Sequence, residues 1–370
     1  MSFSVVKRAD FPLWKKAVCY LIALVAALVL GGLILSSIGV NAFDYYYKMF
    51  TMGTVDNPIA YRTYINYLRE FVPLCLTSLA LSLAFKMKFW NIGGEGQFIV
   101  GAITASLVAF KLGPVLPQAL TLIIMCLAAI VAAGLYGLIV GLLKVKFGTN
   151  ETLLTLMFNY IALYGLIFIG ETKADWNFFL QEESRRPVFQ SFDNLAQFPS
   201  IAMGENFELN ICVILTIVIG VLIYVYLKYM KQGYEISVVG DSMNTARYAG
   251  MKVNKIILRT IFLSAGLIGL AAAFKVGTVG VMSTSITDDV GWTGIIVAWL
   301  AKLSTPVIFV VSALICVLQV GSVAAAATFS QVDSSFADML QGIILFLILG
   351  ADFFTRFKIV IKKKGAKNNG

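Results

Sequence analysis

Residues 91–97 read NIGGEGQ, and they open an apolar run that continues FIVGAITASLVAF to residue 110. Three glycines, an asparagine, a glutamate and a glutamine are poor company for lipid. Either this run is not a membrane helix, or a membrane helix starts here for a reason other than hydrophobicity. Composition settles the first alternative. The chain has 370 residues, of which 59% are hydrophobic and 13% charged, and its mean hydropathy is +0.85. A soluble domain carries about 25% charged residues. Several apolar runs exceed the roughly 18 residues that mark a membrane-spanning helix. The fold class expected is an all-α integral membrane protein.

Other classes fall away by what is missing. The sequence contains no histidine, which removes the commonest general base, metal ligand and neutral-pH switch. Cys19, Cys75, Cys126, Cys212 and Cys316 are scattered through apolar runs without a CxxC pair. They read as small core hydrophobes, with no metal site or disulfide expected. There is no P-loop, GxSxG or HExxH motif, so no catalytic residues are assigned and no cofactor is expected in this chain. The formal charge of +9 does not point to nucleic acid, because the positives gather at the ends of apolar runs.

Ten spans are expected, near 17–40, 71–86, 93–110, 118–143, 152–170, 210–228, 258–275, 289–303, 306–327 and 336–354. The first exceeds the 7–15 residues of a secretory signal core, so it reads as a retained helix. With the N-terminus inside, the cytoplasmic segments hold 21 of the 29 basic residues. The positive-inside rule therefore places both termini in the cytoplasm. This divides the chain into a cytoplasmic N-terminus (1–16), a transmembrane domain (17–354) and a basic cytoplasmic tail (355–370). The tail is expected to be disordered, with lysines that touch anionic lipid. Within the membrane domain, 171–209 is an outer loop with seven acids and three bases, and 229–257 an inner loop. The aromatic segment 41–70, with Tyr45, Tyr46 and Tyr47, is expected along the outer interface.

Ionisable and amide side chains inside spans are functional-site hypotheses by default. Glu95, Gln97 and Thr104 mark one place: Gln97, Gly101 and Thr104 fall on one stripe that faces a cavity or, alternatively, this is an interfacial helix start with Asn91 as cap and Glu95 at the positive end of the dipole. Glu151, Thr155 and Asn159 recur at intervals of four on a second helix, with Asn150 as its cap. That stripe is either a polar solute track or interhelical hydrogen-bonding glue. Asp288 and Asp289 precede Gly291-Trp292-Thr293-Gly294 and are expected to cap a helix at the outer face or, alternatively, to serve docking or an outer gate. Gly137/Gly141 and Ala265/Gly269/Ala273 are small-residue rows that let helices pack closely. GGEGQFIVGAI (93–103) and GWTGIIVAWL (291–300) share paired glycines that lead into an apolar helix.

Four blocks in order carry a resemblance: PLCLTSLALSLAFKMKFWNIGGEGQ (73–97), GTNETLLTLMFNYIA (148–162), GDSMNTARYAGMKVNK (240–255) and GWTGIIVAWLAKLSTP (291–306). Across about residues 58–350 the chain resembles permease subunits of bacterial ATP-binding cassette importers, in the nucleoside and simple-sugar group of the branched-chain amino acid/ribose permease superfamily. Trp90 stands where that family usually has phenylalanine. The resemblance implies a multi-pass protein of the bacterial cytoplasmic membrane that performs no covalent chemistry. It implies cassette subunits that use ATP and Mg, a second, different permease chain, and an extracellular solute-binding lipoprotein. It implies a coupling helix in the inner loop that docks on the ATPase, here Asn244, Ala246, Arg247, Tyr248, Ala249 and Gly250. Glu95, Gln97, Thr104, Glu151, Thr155 and Asn159 would then line the translocation path, with Phe158, Tyr160 and Trp292 as stacking partners for a base. Nucleosides rank first as solute, simple sugars second and branched-chain amino acids third. The alternative from another class is an ion-coupled transporter using Glu95 or Glu151 as its buried carboxylate.

Overall fold

All ten apolar runs become helices in the computed structural model, though not at the lengths the sequence predicts. The structure describes residues 2–7, 12–55, 57–192, 196–203 and 207–362. In chain order the elements are β1 (Ser2–Lys7), α1 (Leu13–Ser37), α2 (Ala42–Phe50), α3 (Ala60–Lys86), α4 (Gly94–Leu112), α5 (Gln118–Phe147) and α6 (Glu151–Glu171). They continue with β2 (Ser200–Ala202), β3 (Glu208–Asn210), α7 (Ile211–Tyr229), α8 (Lys231–Asp241), α9 (Met243–Tyr248), α10 (Val253–Val279), α11 (Val290–Leu300), α12 (Thr305–Ala326), α13 (Phe336–Arg356) and β4 (Phe357–Lys362). Among the described residues nine helices are long and apolar enough to cross a bilayer: α1, α3 to α7, α10, α12 and α13. The exception is α11. Its 11 residues span about 16 Å at 1.5 Å per residue, half of the roughly 30 Å hydrocarbon core. The chain is a multi-pass membrane protein.

Two compact units make up the chain, Met1–Pro58 with Val317–Gly370, and Ile59–Cys316. In the first, α1 lies against α13, and β1 pairs antiparallel with β4, Ser2 opposite Lys362 and Lys7 opposite Phe357. Residues 357–362 of the tail are thus a strand and not a disordered segment. The rest of the tail, 363–370, lies outside the described residues, as do residues 8–11 of the N-terminal segment. Segment 41–70 also departs from expectation. Tyr45 is fully buried with its hydroxyl 3.0 Å from that of Ser322, and Tyr46 donates to the Leu28 carbonyl at 2.7 Å, while Phe43, Tyr47, Phe50 and Tyr64 are exposed. Residues 60–70 form the first turns of α3. Arg62, Arg69, Glu70 and the internal Pro73, which lacks the N–H for the Arg69 carbonyl, hide those turns from a hydropathy reading.

The second unit is built around α10, which packs on α3, α4 and α5. Small residues set the approach. A Cβ on Gly137 would sit 2.5 Å from that of Ala265, and one on Gly269 would sit 2.3 Å from the Ala129 carbonyl oxygen. The rows read from the sequence are therefore the seam between α5 and α10. In segment 229–257, α8 packs against the end of α3: a Cβ on Gly240 would collide with the Lys86 carbonyl. Glu235 on α8 also pairs with Arg259 on α10 at 3.0 Å. Ala246 of α9 is fully buried in the same cluster as Ala84, Met87, Ile236, Val239 and Ile257.

Candidate functional site

The NIGGEGQ segment lies deep in the second unit, and its neighbours give its depth. The basic ends of α3 and α5, at Lys86 and at Lys144 with Lys146, provide the reference level. Gln97 approaches Gly137 of α5, ten residues before that helix ends at Phe147 and hence about 15 Å in. Gly96 bonds Asn159 of α6, eight residues past its start at Glu151, about 12 Å in. After α3 ends, residues 87–93 therefore climb back without helical structure, and α4 begins near the middle of the bundle. α11 does the same from the other direction. A Cβ on Gly294 would face Thr77 and Leu81 of α3, whereas Trp299 contacts Phe85 and stacks on Trp90 at 5.3 Å. α11 thus starts at mid-depth and runs toward the Lys86 end, and residues 280–289 carry the chain inward to meet it.

The two helix starts touch. Gly94 and Gly291 come so close that a Cβ on Gly291 would sit 2.4 Å from the Glu95 nitrogen and 2.8 Å from the Gly94 carbonyl carbon. The Glu95 carboxylate, only 7% exposed, accepts from the amides of Gly291 at 2.9 Å and Trp292 at 3.4 Å. An acid at the positive end of a helix dipole is favourable, and here it belongs to a different helix from the one it caps. Glu95 thus stands at a helix start twice over, in the first turn of α4 and against the first amides of α11, at mid-depth. The same geometry corrects the expectation for Asp288 and Asp289. Asp289 occupies the N-cap position of α11 with φ 54° and makes no capping bond, because a side-chain cap needs extended backbone at that position.

Irregular backbone at this depth survives only where protein satisfies its polar groups, and side chains here supply several of the partners. Ile92 N donates to Thr155 Oγ1 at 3.2 Å, and Gly93 N to Asn91 Oδ1 at 3.1 Å. Asn159 takes Gly96 N on Oδ1 at 2.8 Å and gives Nδ2 to the Ile92 carbonyl at 2.9 Å. Gln97 and Asn91 exchange two amide hydrogen bonds, both 3.1 Å. The result is a buried neutral amide and hydroxyl network that joins α4 to α6, beside the carboxylate that joins α4 to α11.

Of the path residues read from the sequence, Glu95, Gln97, Thr155 and Asn159 converge here. Thr104 lies two turns further along α4 and bonds its own helix at the Val100 carbonyl. Glu151 is on the surface side, paired with Lys144 at 2.7 Å, while Asn150 caps α6 as expected, through Thr152 N and Leu153 N. The three aromatic residues are not gathered. Phe158 packs on Tyr136 at 5.0 Å, Tyr160 faces outward at 54% exposure, and Trp292 is partly exposed beside the junction. Asn91 is a network member that sequence reading treated only as a cap. Lys275 and Glu70 were missed altogether: Lys275, 4% exposed near the end of α10, pairs with Glu70 at 2.6 Å and with Asp288 at 2.9 Å. A single lysine inside the apolar run LIGLAAAFKVGTV was the available signal.

Of the residues expected in a coupling helix, Asn244 to Tyr248 fold within the six-residue helix α9. Ser242 caps it through Thr245 N at 3.2 Å, and Gly250 ends it with φ 74°. Ala246 anchors it, while Asn244, Arg247, Ala249, Gly250 and above all Tyr248, 93% exposed, face out.

Comparison with known proteins agrees with this architecture. Residues 63–349 match the family described as branched-chain amino acid transport system / permease component. The guanosine ABC transporter permease protein NupP of Bacillus subtilis is 29% identical over 357 residues, 94% of this chain and 97% of that protein. The nucleoside ABC transporter permease protein NupB of Lactococcus lactis is 28% identical over 83% of this chain and 84% of its own length. The glucose ABC transporter permease protein TsgB13 of Haloferax volcanii is 26% identical, covering 96% and 92%. No solved structure gives a significant match. The chain is a member of the branched-chain amino acid transport permease family, a multi-pass transport component of the cytoplasmic membrane and not an enzyme.

Proposed function

We propose that this permease conducts nucleosides, within an importer whose separate cassette subunits hydrolyse ATP with Mg. The observation that carries the reading is the neutrality of the buried network. Asn91, Gln97, Thr155 and Asn159 present amides and hydroxyls, and the two nearby carboxylates are already engaged, Glu95 by the α11 amides and Glu151 by Lys144. In this structure these groups bond one another and the backbone, so an uncharged, hydroxyl-rich solute would meet them where the junction opens, without a charge to desolvate. Two relatives that cover most of the chain are named for guanosine and nucleosides. A simple sugar is the second reading, favoured by the glucose permease relative. Ion coupling is disfavoured, because neither carboxylate stands free to bind an ion.

In this reading α9 is the coupling helix. Its exposed Asn244, Arg247 and Tyr248 dock in a groove of the ATPase, while an external solute-binding lipoprotein delivers solute to the opposite face. A second, different permease chain completes the path. ATP binding then shifts an alternating-access equilibrium through α9. The test is uptake of labelled adenosine, guanosine, uridine and ribose in the native host with and without this chain. Loss of nucleoside uptake with ribose untouched supports the proposal. Loss of ribose uptake alone moves the protein to sugars, and no loss of either refutes both.

A further inference from the structure

Lys275 is an expensive residue to place in a membrane helix, and the structure shows what surrounds it. Its ammonium group has three protons and no acceptor capacity. Three carboxylate oxygens meet them: Glu70 Oε1 at 2.7 Å, Glu70 Oε2 at 2.6 Å and Asp288 Oδ2 at 2.9 Å. One buried side chain on α10 thereby ties α3 to the connector 280–289. The two arms differ. Glu70 is the more buried partner and supplies two oxygens, whereas the Asp288 side chain is 54% exposed and supplies one. Loss of Asp288 would leave Lys275 still neutralised by Glu70, so no uncompensated buried charge results. Loss of Glu70 would not be tolerated in the same way.

The connector needs such a tie. Asp288 and Asp289 both have left-handed backbone, φ 42° and 54°; aspartate tolerates this singly better than most residues with a Cβ, but two in succession are uncommon and need surroundings that hold them. Two residues after Asp289 comes Gly291, whose amide bonds Glu95. The position of the α11 start therefore depends on where Asp288 is held.

We propose that Lys275 is the positioning residue of the junction between α4 and α11, with Glu70 as its permanent counter-ion and Asp288 as its releasable arm. Bound, Asp288 seats the connector and presents the α11 amides to Glu95. Released, it frees the connector and lets the α11 start move away from α4, which opens the junction from that side.

The experiment uses the assembled, nucleotide-free importer in native membranes and a membrane-impermeant maleimide. Ile286 is buried in the connector at 3% exposure, so Ile286→Cys reports whether the connector is seated, read against the same chain without the added cysteine. Asp288→Asn is expected to raise the labelling rate at position 286 about three- to tenfold, and Lys275→Met to raise it further. Lys275→Arg, which keeps the charge, is expected to return it toward the parent rate. Maximal uptake rate should follow the labelling, while the half-saturating solute concentration stays within about twofold. Should Lys275→Met fail to reach the membrane, Asp288→Asn alone decides, because it leaves the buried pair intact. Parent-like labelling in Asp288→Asn at normal membrane abundance would overturn the proposal, as would failure of Lys275→Arg to differ from Lys275→Met.

Discussion

Glu95 offers the sharpest test of the junction, because two substitutions separate its possible roles. Glu95→Ala removes the acceptor and leaves the Gly291 and Trp292 amides buried without a partner. A buried orphan amide costs about 1–3 kcal/mol. The Trp292 bond is long at 3.4 Å, so its loss belongs at the low end, and the pair together comes to about 2–4 kcal/mol. Glu95→Gln keeps a side-chain oxygen at the same reach. It gives up the attraction between a full charge and the α11 dipole, about 1–2 kcal/mol in a partly buried setting, but it also removes the desolvation cost of a buried carboxylate. Its net effect should stay within about 1 kcal/mol. At about 2 °C per kcal/mol for a chain of this size or larger, Glu95→Ala should lower the thermal midpoint of the purified importer in detergent by about 4–8 °C and Glu95→Gln by about 2 °C or less. Uptake should follow the same order, with Glu95→Gln retaining most of it. Parent-like stability and uptake in Glu95→Ala would refute the assigned role. A glutamine variant as damaged as the alanine variant would show that the charge itself is required, and would revive ion coupling.

The remaining predictions concern packing, the amide network and coupling. Gly291→Ala should abolish uptake, since its Cβ would meet backbone atoms at 2.4 and 2.8 Å that cannot yield. Gly94→Ala, whose Cβ would stand 3.2 Å from the Gly291 Cα, should be milder; the reverse order in a transport assay would contradict the junction geometry. Asn159→Leu keeps the volume but strands Gly96 N and the Ile92 carbonyl, and should cost about 2–4 kcal/mol, seen as a lower thermal midpoint and reduced membrane yield. Tyr248→Ala should leave the melting of the permease unchanged, because the side chain is 93% exposed. It should weaken association with the ATPase about tenfold or more in a pull-down titration; undiminished association would remove α9 from the interface.

Sequence reading recovered the class of the protein and most of its helices, because a bilayer imposes a simple length and polarity rule. It failed where that rule is suspended. The first turns of α3 carry charges and precede a proline, so their hydropathy resembles a loop. α11 is apolar enough to span and was read as a span, yet it is short, since residues 280–289 make the first part of the descent in non-helical form. Glu95, Gln97, Thr155 and Asn159 were found as polar residues out of place, and the structure brings them together. Their partners were not legible: nothing local to NIGGEGQ says that its glutamate caps a helix almost two hundred residues later. The same limit explains Lys275 and Glu70, which lie 205 residues apart in the sequence. The shared glycine pattern of 93–103 and 291–300 has a concrete meaning in the fold. Each segment starts a helix at mid-depth, and glycine at the meeting point is what lets the two backbones touch.

The placement of α9 bears on how such a junction could be driven. α8 and α9 do not hang free. Gly240 seats α8 on the Lys86 carbonyl at the end of α3, Arg259 on α10 holds Glu235 of α8, and Ala246 of α9 is buried beside Ala84 and Met87. A force on Tyr248 and Arg247 is therefore received by α3 and α10. These are the two helices that Lys275 and Glu70 tie together at their far ends, and α3 is also the surface on which α11 rests through Thr77 and Gly294. Both helices have 27 residues, about 40 Å at the usual rise; α3 lacks one hydrogen bond at Pro73, between its α9 end and Glu70, so α10 is the stiffer of the two. A small tilt of α3 against α10 at the α9 end would thus appear at the Lys275 end as a change in where the connector is held. The arm able to give way there without stranding a charge is Asp288, three residues ahead of the amide that Glu95 holds.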